Sequence, residues 1–143
     1  MKLATIGYER ATQADVIARL KAAGVEVLID VRAIAASRRA GFSKTLLSAS
    51  LNAAGIGYLH LRQLGTPKPG RDAARKGRTA EMTEIFEAHM AEPGAQLELA
   101  KATEMVAQKK TALLCYEADA AGCHRTIVAH RIRDALGCEI ENL

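Results

Sequence analysis

The sequence predicts an α/β domain built on one open, mostly parallel sheet of about five strands, with helices on both faces. Three observations predict it. Short runs of β-branched or continuously apolar residues alternate with longer stretches of helical periodicity along the whole chain. The helical stretches close on glycine at Gly24, Gly55 and Gly137, the residue that ends a helix most easily. The run Val25 to Val31 carries Val25, Val27, Leu28, Ile29 and Val31 and leaves little room for a solvent face, as in a parallel strand covered on both sides.

In chain order, Leu3 to Gly7 is the first strand, and Thr12 is the expected cap of a helix whose stripe is Val16, Ile17 and Leu20. Asp30 interrupts the apolar second strand. After an irregular stretch from Ala33 to Phe42, Ser43 is placed to cap a helix with Leu46, Leu47 and Leu51, and the chain returns as strand Ile56 to Leu61. Pro67, Pro69, Gly65, Gly70 and Gly77 predict a long loop from Arg62 to Arg78. Thr79 opens a helix to about Met90, Glu92-Pro93-Gly94 breaks it, and Leu97, Leu99, Met105 and Val106 mark another before Lys109. Thr111 to Tyr116 is a strong strand. A loop of small residues follows, then a helix with Ile127, Val128, Ile132 and Leu136, and a last short strand at Cys138 to Ile140. With no repeat, low-complexity tract or linker, residues 1–143 read as one domain of common size.

Of the 143 residues, 49% are hydrophobic and 25% charged, which excludes the disordered and fibrous classes. No run approaches the roughly 20 apolar residues of a membrane span, and the N-terminus lacks the apolar centre of a signal peptide. Three cysteines without framework spacing point to free thiols in a reducing, cytoplasmic compartment. The net charge of +4 is concentrated: Lys68, Arg71, Arg75, Lys76 and Arg78 face only Asp72 within one segment. Such a field suits an anionic small molecule, a nucleic-acid backbone or plain solvent counterions. Three tyrosines, two phenylalanines and no tryptophan offer little stacking surface for single-stranded nucleic acid, and Gly65 to Arg71 lacks the Gly-x4-Gly-Lys pattern of a phosphate-cradling loop.

Parallel strands joined by right-handed crossovers bring their C-terminal ends to one edge, where open α/β sheets bind ligands. Gly7-Tyr8, Asp30-Arg32, His60 and Cys115-Glu117 meet there. Cys123-His124-Arg125 precedes the last helix, where unpaired N–H groups favour an anion such as a thiolate. Cys123 is therefore the candidate nucleophile, and His124, Glu117 and His60 are candidate proton carriers. Arg32, Arg38 and Arg125, with Tyr8 and Ser37, are candidate binders of an anionic group. Each residue also has a plain structural reading: Cys123 as a small cap-region residue, Arg125 as an ion-pair donor, the histidines and tyrosines as packing groups. Asp30 belongs with the candidate catalytic groups, yet a buried carboxylate needs a partner, and an Asp–Arg clasp with Arg32, Arg38 or Arg125 explains it equally well. Metal binding by Cys115, Cys123, Glu117 and the histidines is a lesser alternative, because two cysteines seven residues apart followed by His match no standard zinc spacing. No metal or cofactor is assigned.

Taken together, Thr5-Ile-Gly-Tyr8, Asp30-Val-Arg32 with Ser37-Arg38, Phe42-Ser-Lys44, Gly55-Ile-Gly-Tyr-Leu-His60, Leu64-Gly65 and Leu114-Cys-Tyr-Glu117 before Cys123-His-Arg125 resemble the domain-of-unknown-function family numbered 488. The resemblance spans nearly the whole chain. It implies a prokaryotic, bacterial-type α/β domain with these motifs at a shared strand-end site and no settled activity. Tyr8 and Ala35 depart from it, since many members carry His and Pro there, which bears on a histidine role at the first position and a rigid turn at the second. A looser similarity links the chain to rhodanese-like sulfurtransferases and cysteine phosphatases, which place a cysteine and an arginine at a helix N-terminus, although in a more compact anion loop.

The leading expectation is thus an enzyme or anion-binding domain using thiol or acid/base chemistry. The alternatives are a nucleic-acid-associated module using the 68–78 segment, and a metal-binding protein or hydrolase.

Overall fold

The computed structural model describes residues 1–143. Five strands form one wholly parallel sheet: β1 (Lys2–Gly7), β2 (Val27–Asp30), β3 (Gly57–His60), β4 (Thr111–Cys115) and β5 (Glu139–Asn142), in the spatial order β3-β2-β4-β1-β5. Six helices connect them: α1 (Gln13–Ala22), α2 (Lys44–Ala53), α3 (Lys68–Arg75), α4 (Thr79–Met90), α5 (Pro93–Gln108) and α6 (His124–Leu136). None is long and apolar enough to cross a membrane.

Alternation along the strands builds two cores. Ala4, Ile6, Leu28, Ala112 and Leu114 turn to the face covered by α1 and α2, through Val16, Leu20, Leu47 and Leu51. Leu3, Ile29, Leu113 and Cys115 turn to the other, covered by Phe86 and Met90 of α4, Ala102 and Val106 of α5, and Val128 and Ile132 of α6. Both faces are buried, which is why β2 reads as a continuous apolar run.

Most expected boundaries fall within a residue or two of the observed ones. Thr12 caps α1, its side chain accepting from the Asp15 N–H at 3.1 Å. Ser43 occupies the N-cap position of α2 but makes no cap bond; its hydroxyl instead donates to the Ser37 carbonyl and accepts from the Ser37 N–H.

The segment from Arg62 to Arg78 is the main correction. It is not a continuous loop: a 3₁₀ turn at Arg62–Leu64 leads into α3. Pro69 sits in the first turn of α3, where a missing N–H costs nothing. Gly70 allows close packing, because a Cβ there would lie 2.4 Å from Thr66 Cγ2 and 3.3 Å from Ile85 Cγ2 on α4. Two of the five residues that suggested a loop, Pro69 and Gly70, are thus what let a short helix start and dock. In the second case of this kind, Pro93 opens α5 rather than merely breaking α4.

Register sets the functional edge. Gly7 pairs with Cys115, Asp30 with Leu114, and Asp30 with His60, so the ends of four strands lie side by side. The chain leaves β1 and β2 toward α1 and α2 but leaves β4, which lies between them, toward α6 on the opposite face. Connections that diverge in this way open a crevice at the strand ends.

Candidate functional site

The first part of the edge is a closed polar clasp. Asp30 is fully buried and Arg32 nearly so. The Arg32 Nε and Nη2 groups donate to the two Asp30 carboxylate oxygens at 2.8 and 2.7 Å, and Nη1 donates to the Phe42 carbonyl at 2.8 Å and the Tyr8 hydroxyl at 3.2 Å. The Tyr58 hydroxyl donates to Asp30 Oδ2 at 2.5 Å, and the Arg32 backbone N–H to Oδ1 at 3.1 Å. His60 Nε2 is 2.7 Å from the Arg32 carbonyl, to which it donates. Asp30 therefore spends both carboxylate oxygens inside the clasp and His60 its Nε2, and neither residue lines the neighbouring cavity.

Burial, followed by the hydrogen bond to Asp30 and that residue's charge, raises the Tyr58 pKa above the ordinary phenol range. A group raised in the folded state contributes stability below its unfolded pKa of about 10 and loses it as pH rises further. Chemical denaturation across that range is expected to show the loss, and Tyr58→Phe to remove this pH dependence while costing about 1.5–3 kcal/mol at neutral pH.

The second part gathers sulfur, imidazole and carboxylate. β4 delivers Cys115 at its last position. The chain then turns through Glu117, an Asp119-capped 3₁₀ turn at Ala120–Gly122, and Cys123, the N-cap residue of α6. His124 Nε2 donates to the Val31 carbonyl at 2.8 Å, so its Nδ1 faces Cys115 Sγ at 3.6 Å and Cys123 Sγ at 3.9 Å. Glu117 Oε2 lies 3.4 Å from Cys115 Sγ. The Phe86 ring closes one side, with its centroid 5.3 Å from that of His124.

Two features hold this turn. The buried Arg125 donates from Nη1 to the Glu117 carbonyl and from Nη2 to that of Ala118, while its Nε has no partner. Gly7 lets the turn approach β1, because a Cβ there would lie 1.7 Å from the Glu117 carbonyl oxygen.

These neighbours shift one another's protonation. Burial works against the Cys123 thiolate, but hydrogen bonds from Cys115 and His124 and the charges of His124 and Arg125 prevail and hold the thiol well below its usual range. Cys115 moves the other way, raised by its hydrogen bond with Cys123, by burial, and by the charges of Cys123 and Glu117. Burial and then the Cys123 charge raise Glu117. Burial lowers His124, but the hydrogen bond and charge of Cys123 outweigh it and leave the pKa raised. The direction of all four shifts is that of a Cys123 thiolate beside a His124 imidazolium.

A cavity of 640 Å³ adjoins the cluster. Cys115, Glu117, His124 and Gly122 line it together with Tyr8, Arg32, Arg71 and Arg75. Ile34 and Tyr116, both largely exposed, also line it and stand at its open side. Of the residues expected at a site, Cys123, His124 and Glu117 come together. Tyr8 and Arg32 reach the cavity, although the Arg32 guanidinium is already committed to the clasp. Arg125 grips backbone carbonyls instead of facing the cavity. Ser37 serves its own loop, accepting from the Arg39 N–H at 3.1 Å, and Arg38 is exposed to solvent away from the cavity.

The cationic wall was not expected. Arg71 and Arg75 come to the cavity only because residues 68–75 are helical; the readable signs were Pro69 at a helix start and the Lys68–Asp72 pair at i,i+4 spacing. Arg71 Nη1 donates to the Thr66 carbonyl at 2.9 Å and Arg75 pairs with Asp72, as does Lys68, while Arg78 pairs with Glu81.

Neither a curated protein nor a solved structure matches the chain. Residues 12–132 match the family model described as domain of unknown function DUF488, and a match over that much of the chain, with the Asp30–Arg32 clasp and the Cys123-His124-Arg125 turn both inside it, means that the protein belongs to this family.

Proposed function

We propose that the protein is a small thiol-dependent enzyme acting on an anionic substrate held in the strand-end cavity. One observation carries this reading: Cys115, His124 and Glu117 line a cavity that two arginines of α3 also line, and the buried Cys123 Sγ sits against this group, 3.9 Å from His124 Nδ1.

In this reading His124 Nδ1 takes the Cys123 proton, its ring held in place by the Nε2–H bond to Val31. The thiolate attacks the electrophilic atom of the substrate, the bond to the leaving group breaks, and the His124 proton passes to that group. Water, for a phosphoryl group, or a thiophilic acceptor such as cyanide or a second thiol, for a sulfane sulfur, then takes the transferred group from Cys123 and restores the thiol. Arg71 and Arg75 hold the anionic end. Cys123 is buried and does not itself line the cavity, whereas its neighbours Gly122 and His124 do, so the reacting group must be small.

Cys123 alkylation in a background lacking the other two cysteines is expected to show a midpoint well below the roughly 8.5 of a free thiol, and His124→Ala to move it upward. In a screen of sulfur- and phosphoryl-transfer substrates, Cys123→Ser should abolish turnover, and Arg71→Ala should raise KM more than it lowers kcat. An ordinary or raised alkylation midpoint would remove Cys123 as the nucleophile.

A further inference from the structure

We propose that Cys115, Cys123 and His124 form a binding site for one soft divalent metal ion of the zinc type, and that the bound ion reversibly blocks Cys123. The ion-binding part stands on donor geometry alone; the block rests on the reading of Cys123 as the reactive thiol.

The two sulfurs and one ring nitrogen all lie within 4.8 Å of one another. Bonds of about 2.3 Å to sulfur and 2.0–2.1 Å to nitrogen around a tetrahedral ion place donors roughly 3.5–3.8 Å apart. The Cys115 and Cys123 sulfurs are 3.6 and 3.9 Å from His124 Nδ1, distances close to those that a shared ion requires. Nδ1, the nitrogen nearer both sulfurs, is the one that offers a lone pair once its proton is released, because the other ring nitrogen donates to the Val31 carbonyl. That is the outer hydrogen bond by which ligating histidines are held in one tautomer.

The surroundings also fit a soft ion. Phe86 packs against the His124 ring, and Met82 lines the adjoining cavity, which gives the ion a path of entry. Glu117 lies 3.4 Å from Cys115 Sγ but outside the three mutually close donors, so the fourth place is left to water. Two thiolates and an imidazole select against calcium and magnesium, which require oxygen ligands. The standard spacing test fails for this site because its cysteines come from a strand end and a helix cap, which the fold, and not a short loop, brings together.

The test is titration of the full chain, freed of metal by a chelator, with Co2+ and then Zn2+. One equivalent of Co2+ is expected to produce a thiolate-to-cobalt charge-transfer band and tetrahedral d–d bands that Zn2+ bleaches. Cys115→Ser and His124→Ala should each weaken binding by about 100-fold or more, and Cys138→Ala should leave it unchanged. In the wild-type chain, which involves no question of variant folding, one equivalent of Zn2+ should protect Cys123 from alkylation and a chelator should restore the rate. Absence of the charge-transfer band, or binding indifferent to Cys115→Ser, would overturn the site. A normal alkylation midpoint in metal-free protein that still binds one Co2+ would sink the nucleophile reading and the block with it, but not the site. Fast alkylation without Co2+ binding would do the reverse.

Discussion

Asp30→Ala is expected to destabilise the protein by about 3–5 kcal/mol, measured by urea denaturation at neutral pH. Its carboxylate is the only anionic partner of the Arg32 guanidinium, and Asp30 is fully buried and Arg32 nearly so. Removing it leaves a buried cation held only by the Phe42 carbonyl and the Tyr8 hydroxyl, and leaves the Tyr58 hydroxyl without its acceptor. The double change Asp30→Leu with Arg32→Met should cost less than the single change, because it removes both charges together. A loss below about 1 kcal/mol for Asp30→Ala would mean that the pair is hydrated in solution and does not organise the strand end.

Gly7→Ala is expected to cost about 3 kcal/mol or more and to damage the sulfur cluster at the same time. The new Cβ would stand 1.7 Å from the Glu117 carbonyl oxygen, 2.5 Å from its carbon and 3.0 Å from Ala118 Cα, all backbone atoms that no rotamer change can move. Arg125 donates to the same Glu117 carbonyl and to that of Ala118, so the turn must move and carry the Glu117 carboxylate away from Cys115. Gly24→Ala is the control. Its Cβ meets nothing within 4 Å, and only the left-handed backbone at φ +73° is strained, for about 1–2 kcal/mol. If Gly7→Ala resembles Gly24→Ala in stability and leaves Cys123 alkylation unchanged, the close approach of β1 to the 117–118 turn is not what holds the site.

Parts of the site were legible in local pattern alone. Asp30 stood out as a charge inside an apolar strand, and the requirement that a buried carboxylate be paired already named Arg32 among its partners. Cys123 and His124 were marked by their place before the periodic stripe of α6. Arg71 and Arg75 were visible as charges but not as cavity residues, because the prolines and glycines around them signal a loop and a helix start equally well. Only the packing of Gly70 on Ile85 decides between the two. Arg125 read as an anion binder because a helix N-terminus invites anions. In the structure the anions' place is taken by backbone carbonyls of the preceding turn, which no spacing rule reveals.

The sequence by itself determined a parallel α/β sheet, its alternation of strands and helices, and the edge at which polar residues collect, since periodicity and capping are local properties written in neighbouring residues. The tertiary structure decided which polar residues are committed to holding the fold and which line the strand-end cavity. It closed Asp30, Arg32, Tyr58 and His60 into a clasp and brought Cys115 within reach of Cys123 and His124. It also placed α3 against the cavity. These outcomes depend on strand order, register and close contacts between distant segments, and the energy of a buried polar group depends on which partners reach it rather than on its place in the chain.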